Sequence, residues 1–559
     1  FFALASIYEK VLARPEEVDR ALRAALALDP SNVRALRALL RRAALERMPD
    51  DVTAARARRE EMADWLGRLA DSEREPEPKT ALLLELADVQ VRLGNGKAAE
   101  KTLVEAVVTS PANTRAFSRL TALFRRVGGM DQAGFARALT SLVGYGDKLG
   151  RVDARWLAAL GQLEIQALSR LREGVTHLQR AAVADPTLYE TRFELAAGYA
   201  QLKANDEASR VLLGMIQPVA EPLLAISDPA AALALLEQTL NAEGKKEEAV
   251  VVTELRAIAG ELEDVRATWL RARRPRALDA PTATLDRATL VTHVLPPEGR
   301  HVLLEVAAAI AGIEGKIIRA DLASVGLTSR DKISPRSGHP TRALLDRIMR
   351  QLDVGDVELA IAPSAMRTRV LAQDEPWIVV SPAFAKQPEA VQVAGLARAA
   401  ARIAFGAPWL EELSPAQIEA MLVAAARQVA KGYGAADAAL LSQQEAAIAR
   451  SMGRRQRKML EELAAHLVGP SAKPPNAQDF VQALTRAELR AAFLVSGDLL
   501  AMLDEMRPLD AALHAAVGSP GTGALAALLG HPIAGDLVRF ALTSESTALR
   551  RRLGSVWAR

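Results

Sequence analysis

The sequence predicts a mainly α-helical protein: an N-terminal α-solenoid of helix hairpins, then an α+β domain with a small sheet and a helical C-terminus. Three observations lead there. Leu83, Leu86, Gly94 and Ala99 are matched, each 34 residues later, by Phe117, Leu120, Gly128 and Ala133, a spacing typical of stacked helix hairpins. Half of the 559 residues are apolar but only 4% are aromatic, which favours closely packed, alanine-rich helix pairs over one large core. Finally, apolar or β-branched runs at 357–362 and 377–381 flank the turn residues Asp374-Glu375-Pro376 and read as short strands.

In chain order, a first weak unit carries Leu22 and Ala25 and ends at Asp29-Pro30. The clearest hairpin follows. Leu83 and Leu86 face a neighbour, Gly94 makes the turn, Ala99, Leu103 and Ala106 line the crossing of the two backbones, and Pro111 ends the second helix because it lacks an amide hydrogen. The next hairpin starts at Phe117, Leu120 and Phe124, turns at Gly128 and runs through Leu142. Another unit, with Leu178 and Ala181, ends at Asp185-Pro186. Leu195, Tyr199, Ala208 and Leu212 are then echoed 41 residues later by Leu236, Leu240, Ala249 and Thr253, with an insertion around Pro218, Pro222 and Pro229. This pattern resembles the tetratricopeptide (TPR) repeat family, whose signature pairs W-x2-L-G-x2-Y with A-x3-F and a closing proline. The resemblance spans about residues 1–262 and implies roughly five to seven hairpins. It also implies a concave groove, lined by the first helices, that binds a protein or peptide partner. Asp88, Arg115, Ser118 and Arg125 reach that groove by helical spacing, where an arginine pair suits a carboxylate; the alternative is that they are ordinary solvated side chains.

Residues 263–300 read as a basic linker, with Trp269, Arg271, Arg273, Arg274, Pro275 and Arg276 followed by Pro281, Pro296 and Pro297. An α+β domain is expected over 301–435: helices at 302–318, 340–352 and 388–405, with the two strands between them. A helical region follows over 436–559. It includes one helix over 443–467 whose basic cluster, Arg454, Arg455, Arg457 and Lys458, forms a solvated face. The order helix, strand, strand, alanine-rich helix resembles the core of HExxH zinc metallopeptidases over about 340–412. In that family the last helix carries two zinc-binding histidines one turn apart and a glutamate as general base. Here that helix reads Val393 to Arg402 without histidine or glutamate, so the resemblance implies a lost metal site.

The remaining composition excludes several chemistries. Net charge is only +3, from 71 basic and 68 acidic side chains, so no nucleic-acid partner is expected. Without cysteine there is no disulfide, thiolate metal site or cysteine nucleophile. No apolar run is long enough to span a bilayer. His177, His293, His301, His339, His466, His514 and His531 include no pair three or four residues apart. Gly312 to Lys316 lacks the P-loop spacing, Gly518, Gly521 and Gly523 follow no strand, and Glu411-Glu412 and Glu461-Glu462 read as solvated acids. No metal or other cofactor is expected. The chain opens at Phe1, read as lying within a helix, and is read as a piece of a longer, alanine- and arginine-rich bacterial protein of the cytoplasm. Two functions stay open: a non-catalytic scaffold or adaptor, or a hydrolase in which several of His301, His339, Asp374 and Glu411 converge.

Overall fold

The computed structural model describes residues 1–12, 14–126, 129–216, 222–262, 268, 283–318, 322–373, 375–469, 472–517 and 520–556. Gly128, Pro218, the arginine cluster at 271–276 with Trp269, Pro281, Asp374 and Gly518 lie outside them. The chain divides into two compact units, Phe1–Ala204 and Asn205–Arg559.

The first unit is a run of helices: α1 (Phe2–Lys10), α2 (Pro15–Leu28), α3 (Val33–Leu45), α4 (Val52–Ser72), α5 (Pro76–Arg92), α6 (Gly96–Thr109), α7 (Thr114–Leu123), α8 (Gln132–Leu149), α9 (Ala154–Gln166), α10 (Leu171–Ala184) and α11 (Tyr189–Gln201). Local chemistry sets their starts. The side chains of Asn32, Asp51, Asn113, Asp131 and Asp153 accept amide hydrogens of the first turn, and Pro15 and Pro76 occupy first helical positions where no donor is needed. Most helices pack on the one before and the one after, and α5 on α7, α6 on α8 and α9 on α11 add contacts between alternate helices, the arrangement of a solenoid. Among the described residues one core gathers around Leu22, Leu36, Leu39 and Trp65, and another around Leu103, Leu120, Leu139, Leu142 and Trp156.

The hairpin of α5 and α6 turns at Gly94, whose φ of +79° suits glycine. The next hairpin departs from expectation. Between α7 and α8 stands a short antiparallel ribbon, β1 (Arg125–Arg126) with β2 (Gly129–Met130). It lengthens the connection, so Ala133 is exposed while Ala136 is buried at 5% exposure. The 34-residue correspondence therefore holds for Leu86 and Leu120, both buried, and breaks for Ala99 and Ala133.

The second unit begins with α12 (Asn205–Leu213), α13 (Pro229–Ala242) and α14 (Lys246–Ile258). A turn at Arg287–Thr289 continues as the π-helical Leu290–Val294, and then come α15 (Val302–Ala309), α16 (Glu314–Ile318) and α17 (Pro340–Gln351). The expected helix over 302–318 is thus broken, at Gly312 with φ of +87°. Strands β3 (Glu358–Ile361), β4 (Arg369–Leu371) and β5 (Trp377–Val380) form one sheet of order β3-β5-β4. β5 is central and fully buried, parallel to β3 and antiparallel to β4. Then follow α18 (Glu389–Ala404), α19 (Pro415–Arg427), α20 (Ala438–Ser451), α21 (Arg454–Leu463), α22 (Ala477–Ser496), α23 (Leu499–Met506), α24 (Ala511–Val517), α25 (Thr522–Gly530), α26 (Ala534–Ala541) and α27 (Ser544–Leu553). The single helix expected over 443–467 is two, parted at Met452-Gly453, and its basic cluster is exposed.

The compact units do not follow the boundaries read at 262, 300 and 435. α14 packs on α23, α25 and α27, and α22 packs on α18, α19, α23, α26 and α27. The hairpin over 229–258, the sheet region and the C-terminal helices therefore share one unit.

Candidate functional site

Helical spacing places Arg115 and Ser118 on one face of α7, the first helix of its hairpin, and both are exposed. Asp88, on the neighbouring first helix α5, is half-buried and pairs with Arg119 of α7 at 3.4 Å. A second bridge between first helices is made by Gln162 of α9, which donates to Glu194 of α11 at 2.6 Å. Ser118 spends its hydroxyl hydrogen on the Thr114 carbonyl, 2.8 Å away within its own helix. Arg125 is exposed but sits on β1, past the end of α7, so the helical-spacing argument does not apply to it. The structure thus groups Arg115 and Ser118 beside an Asp88–Arg119 tie and sets Arg125 on the adjoining ribbon.

A second constellation lies in the other unit and was not legible as such. On α18, Arg398 and Arg402 stand one turn apart, and both guanidiniums are buried against carboxylates. Glu488 of α22 is bidentate, its oxygens lying 2.7 Å from Arg398 Nε and 2.7 Å from Arg402 Nε. Glu411 lies 2.9 Å from Arg402 and also bonds Arg398, while Glu505 of α23 reaches Arg398 at 3.3 Å. Arg367 and Arg369, the latter on β4, extend the lattice through Glu411 and Glu412.

Burial alone would lower the Arg398 and Arg402 pKa values. The carboxylates around them (Glu505, Glu488 and Glu411 for Arg398; Glu488 and Glu411 for Arg402) outweigh it and raise both. For Glu411, burial pushes upward but the Arg402 and Arg398 charges prevail and hold its carboxyl low. At Glu505 burial wins over Arg398, and the pKa is raised. Glu411 and Glu412 are therefore lattice members and not the solvated acids expected. The one sequence signal was a pair of arginines four apart on an otherwise alanine-lined face.

The metallopeptidase resemblance implies a lost metal site on this helix, and the residues standing there do not suit zinc. Two cationic guanidiniums, which have no lone pair to give a metal, stand where the ligands would be, and their carboxylate partners are already engaged. Among the described residues no three His, Asp or Glu side chains are grouped to hold a metal ion. His301 accepts the Leu303 amide hydrogen at the start of α15 and, with His466 and Glu305, lines a cavity of about 460 Å³. His339 precedes α17, and Glu411 is in the lattice. Among the described residues no single helix is long and apolar enough to cross a membrane.

No protein-family model matches the chain, and no curated protein matches it. Among solved structures, the crystal structure of MamA protein is similar at 15% sequence identity, over 31% of this chain and 88% of that one, with a TM-score of 0.23.

Proposed function

We propose that the chain is a non-catalytic scaffold or adaptor whose N-terminal helix hairpins dock a partner protein or peptide. The supporting observation is the run of neighbouring first helices: α5 and α7 lie in contact, tied by Asp88–Arg119, with Arg115 and Ser118 exposed beside the tie. Such an array offers a broad, repeated polar surface without requiring a closed pocket. The test is affinity capture with the full chain against an Arg115→Glu/Arg125→Glu variant, with the recovered proteins identified by mass spectrometry. The reading expects partners that the variant loses. Equal recovery from both removes this surface, and stoichiometric zinc in the purified chain would favour a hydrolase.

A second reading concerns the C-terminal unit, and the Arg398–Arg402 spacing favours it. In this reading about residues 340–412 of the unit form a metallopeptidase-like core, in which an arginine–glutamate lattice stands on the helix that carries the metal in that family. Its role is then to brace the molecule or bind a ligand. No catalytic step is assigned to it.

A further inference from the structure

The second helices α6 and α8 enclose a cleft of about 840 Å³ on the first unit, within the size range of ligand pockets. Lys97 and Lys101 stand one turn apart on α6, and Arg137 and Tyr145 lie along α8. Val104 and Val108 supply apolar lining. The charges do not cancel. Glu105 is held by Lys79 at 3.0 Å, which leaves Glu100 as the carboxylate facing Lys97, Lys101 and Arg137. Elsewhere in the unit Arg119, Arg155 and Arg180 each hold an aspartate; among the described residues Lys97, Lys101 and Arg137 make no ion pair. Tyr145, at the cleft, is 49% exposed, with the Lys148 ammonium 5.9 Å from its ring centre.

We propose that this cleft docks an acidic peptide segment, its carboxylates on Lys97, Lys101 and Arg137 and an apolar side chain against Val108 and Tyr145. Charge complementarity selects that occupant: cations in excess attract carboxylates, and the planar fork of Arg137 suits bidentate pairing. The aromatic edge and valines add an apolar seat that a free inorganic anion would not use. The inference rests on the first unit being a docking array, but places the contact on second helices, apart from Asp88 and Arg115.

The experiment measures fluorescence anisotropy of a labelled peptide of repeating Asp-Glu-Leu units titrated with the full chain. Charge reversal at Lys97→Glu, Lys101→Glu and Arg137→Glu is expected to weaken binding at least about tenfold. Reversal of three exposed arginines elsewhere, Arg14→Glu, Arg47→Glu and Arg92→Glu, is expected to change it less than about twofold at physiological salt. Tyr145→Ala keeps the charge and is expected to weaken binding about threefold or more. Circular dichroism melts of all variants should match the parent. Equal weakening by the two charge sets, an unchanged affinity for Tyr145→Ala, or no saturable binding by the parent chain overturns the proposal. Partner capture that still depends on Arg115 and Arg125 would leave the scaffold reading standing in each of those cases.

Discussion

Glu488 is 0% exposed and answers two buried guanidiniums at once. A buried ion pair adds little over an apolar replacement, but removing one partner strands the others in a medium that solvates them poorly. Glu488→Gln is therefore expected to cost about 3–5 kcal/mol, read as a lower urea midpoint; a midpoint within error of the parent would show that Arg398 and Arg402 find other partners. Glu314 works differently. It is buried, with Gly312 donating its amide hydrogen to one carboxyl oxygen at 2.6 Å. Burial pushes its pKa from 4.5 up to about 7, against opposing backbone hydrogen bonds. A carboxyl whose pKa is higher folded than unfolded takes up a proton on folding. Its contribution is present below about 4.5 and is lost as pH rises through about 7. Roughly 3 kcal/mol is at stake over that interval. Glu314→Gln removes the titration and should flatten this part of the stability–pH curve, which denaturation at a series of pH values measures; parallel curves would place the dependence elsewhere.

At the scale of elements, closeness of approach decides what the helices tolerate. Where α9 crosses α10, a Cβ on Gly174 would meet Ile165 Cγ1 at 2.5 Å and the Gly161 carbonyl oxygen at 2.7 Å. Gly67 in α4 has nothing within 4 Å of the same position. Alanine is the better helix former by about 1 kcal/mol, so Gly67→Ala is expected to stabilise the protein by roughly that amount. Gly174→Ala should instead destabilise it by about 1–2 kcal/mol, since overpacking costs more than propensity returns. Thermal melts of the two variants that moved in the same direction would contradict the crossing geometry. This distinction marks what the sequence could reveal. Leu86 and Leu120 were legible because burial of a helix face imposes periodicity, as were the stops before Asp29-Pro30 and Asp185-Pro186. The exchange of Ala133 for Ala136 was not, because a two-residue ribbon leaves no periodic trace and moves everything after it. The three residues of β4 are too few to alternate. Breaks at Gly312 and Gly453 are local backbone choices that an otherwise helical pattern conceals. The arginine–glutamate lattice was hidden for another reason: its paired residues stand up to 107 positions apart in the sequence, and pairing at that distance is a tertiary property.

At the scale of the whole molecule, the repeat-like spacing and the compact units part company after residue 204. Leu236, Leu240, Ala249 and Thr253 are buried, as the repeat pattern requires, yet α14 belongs with the C-terminal helices. Glu254 accepts the amide hydrogens of Leu499 and Leu500 at 3.1 and 3.4 Å, satisfying donors at the start of α23 that have no partner within that helix. Glu247 lies 3.5 Å from the fully buried Arg550 of α27. Val250, Val251 and Val252 are buried in the same unit. Cutting at 262 would strip these partners from α14 and expose both its valines and its carboxylates, whereas cutting at 204 keeps the first unit's internal packing. A fragment of residues 1–204 is therefore expected to unfold cooperatively and to bind little of the dye ANS. One of residues 1–262 should bind more dye per molecule and lose its added helical signal in a separate, earlier transition, because exposed apolar surface is what the dye reports. A single shared transition and equal dye binding in the two fragments would mean that the hairpin over 229–258 is held by the repeats before it, and would restore the boundary that the sequence pattern suggests.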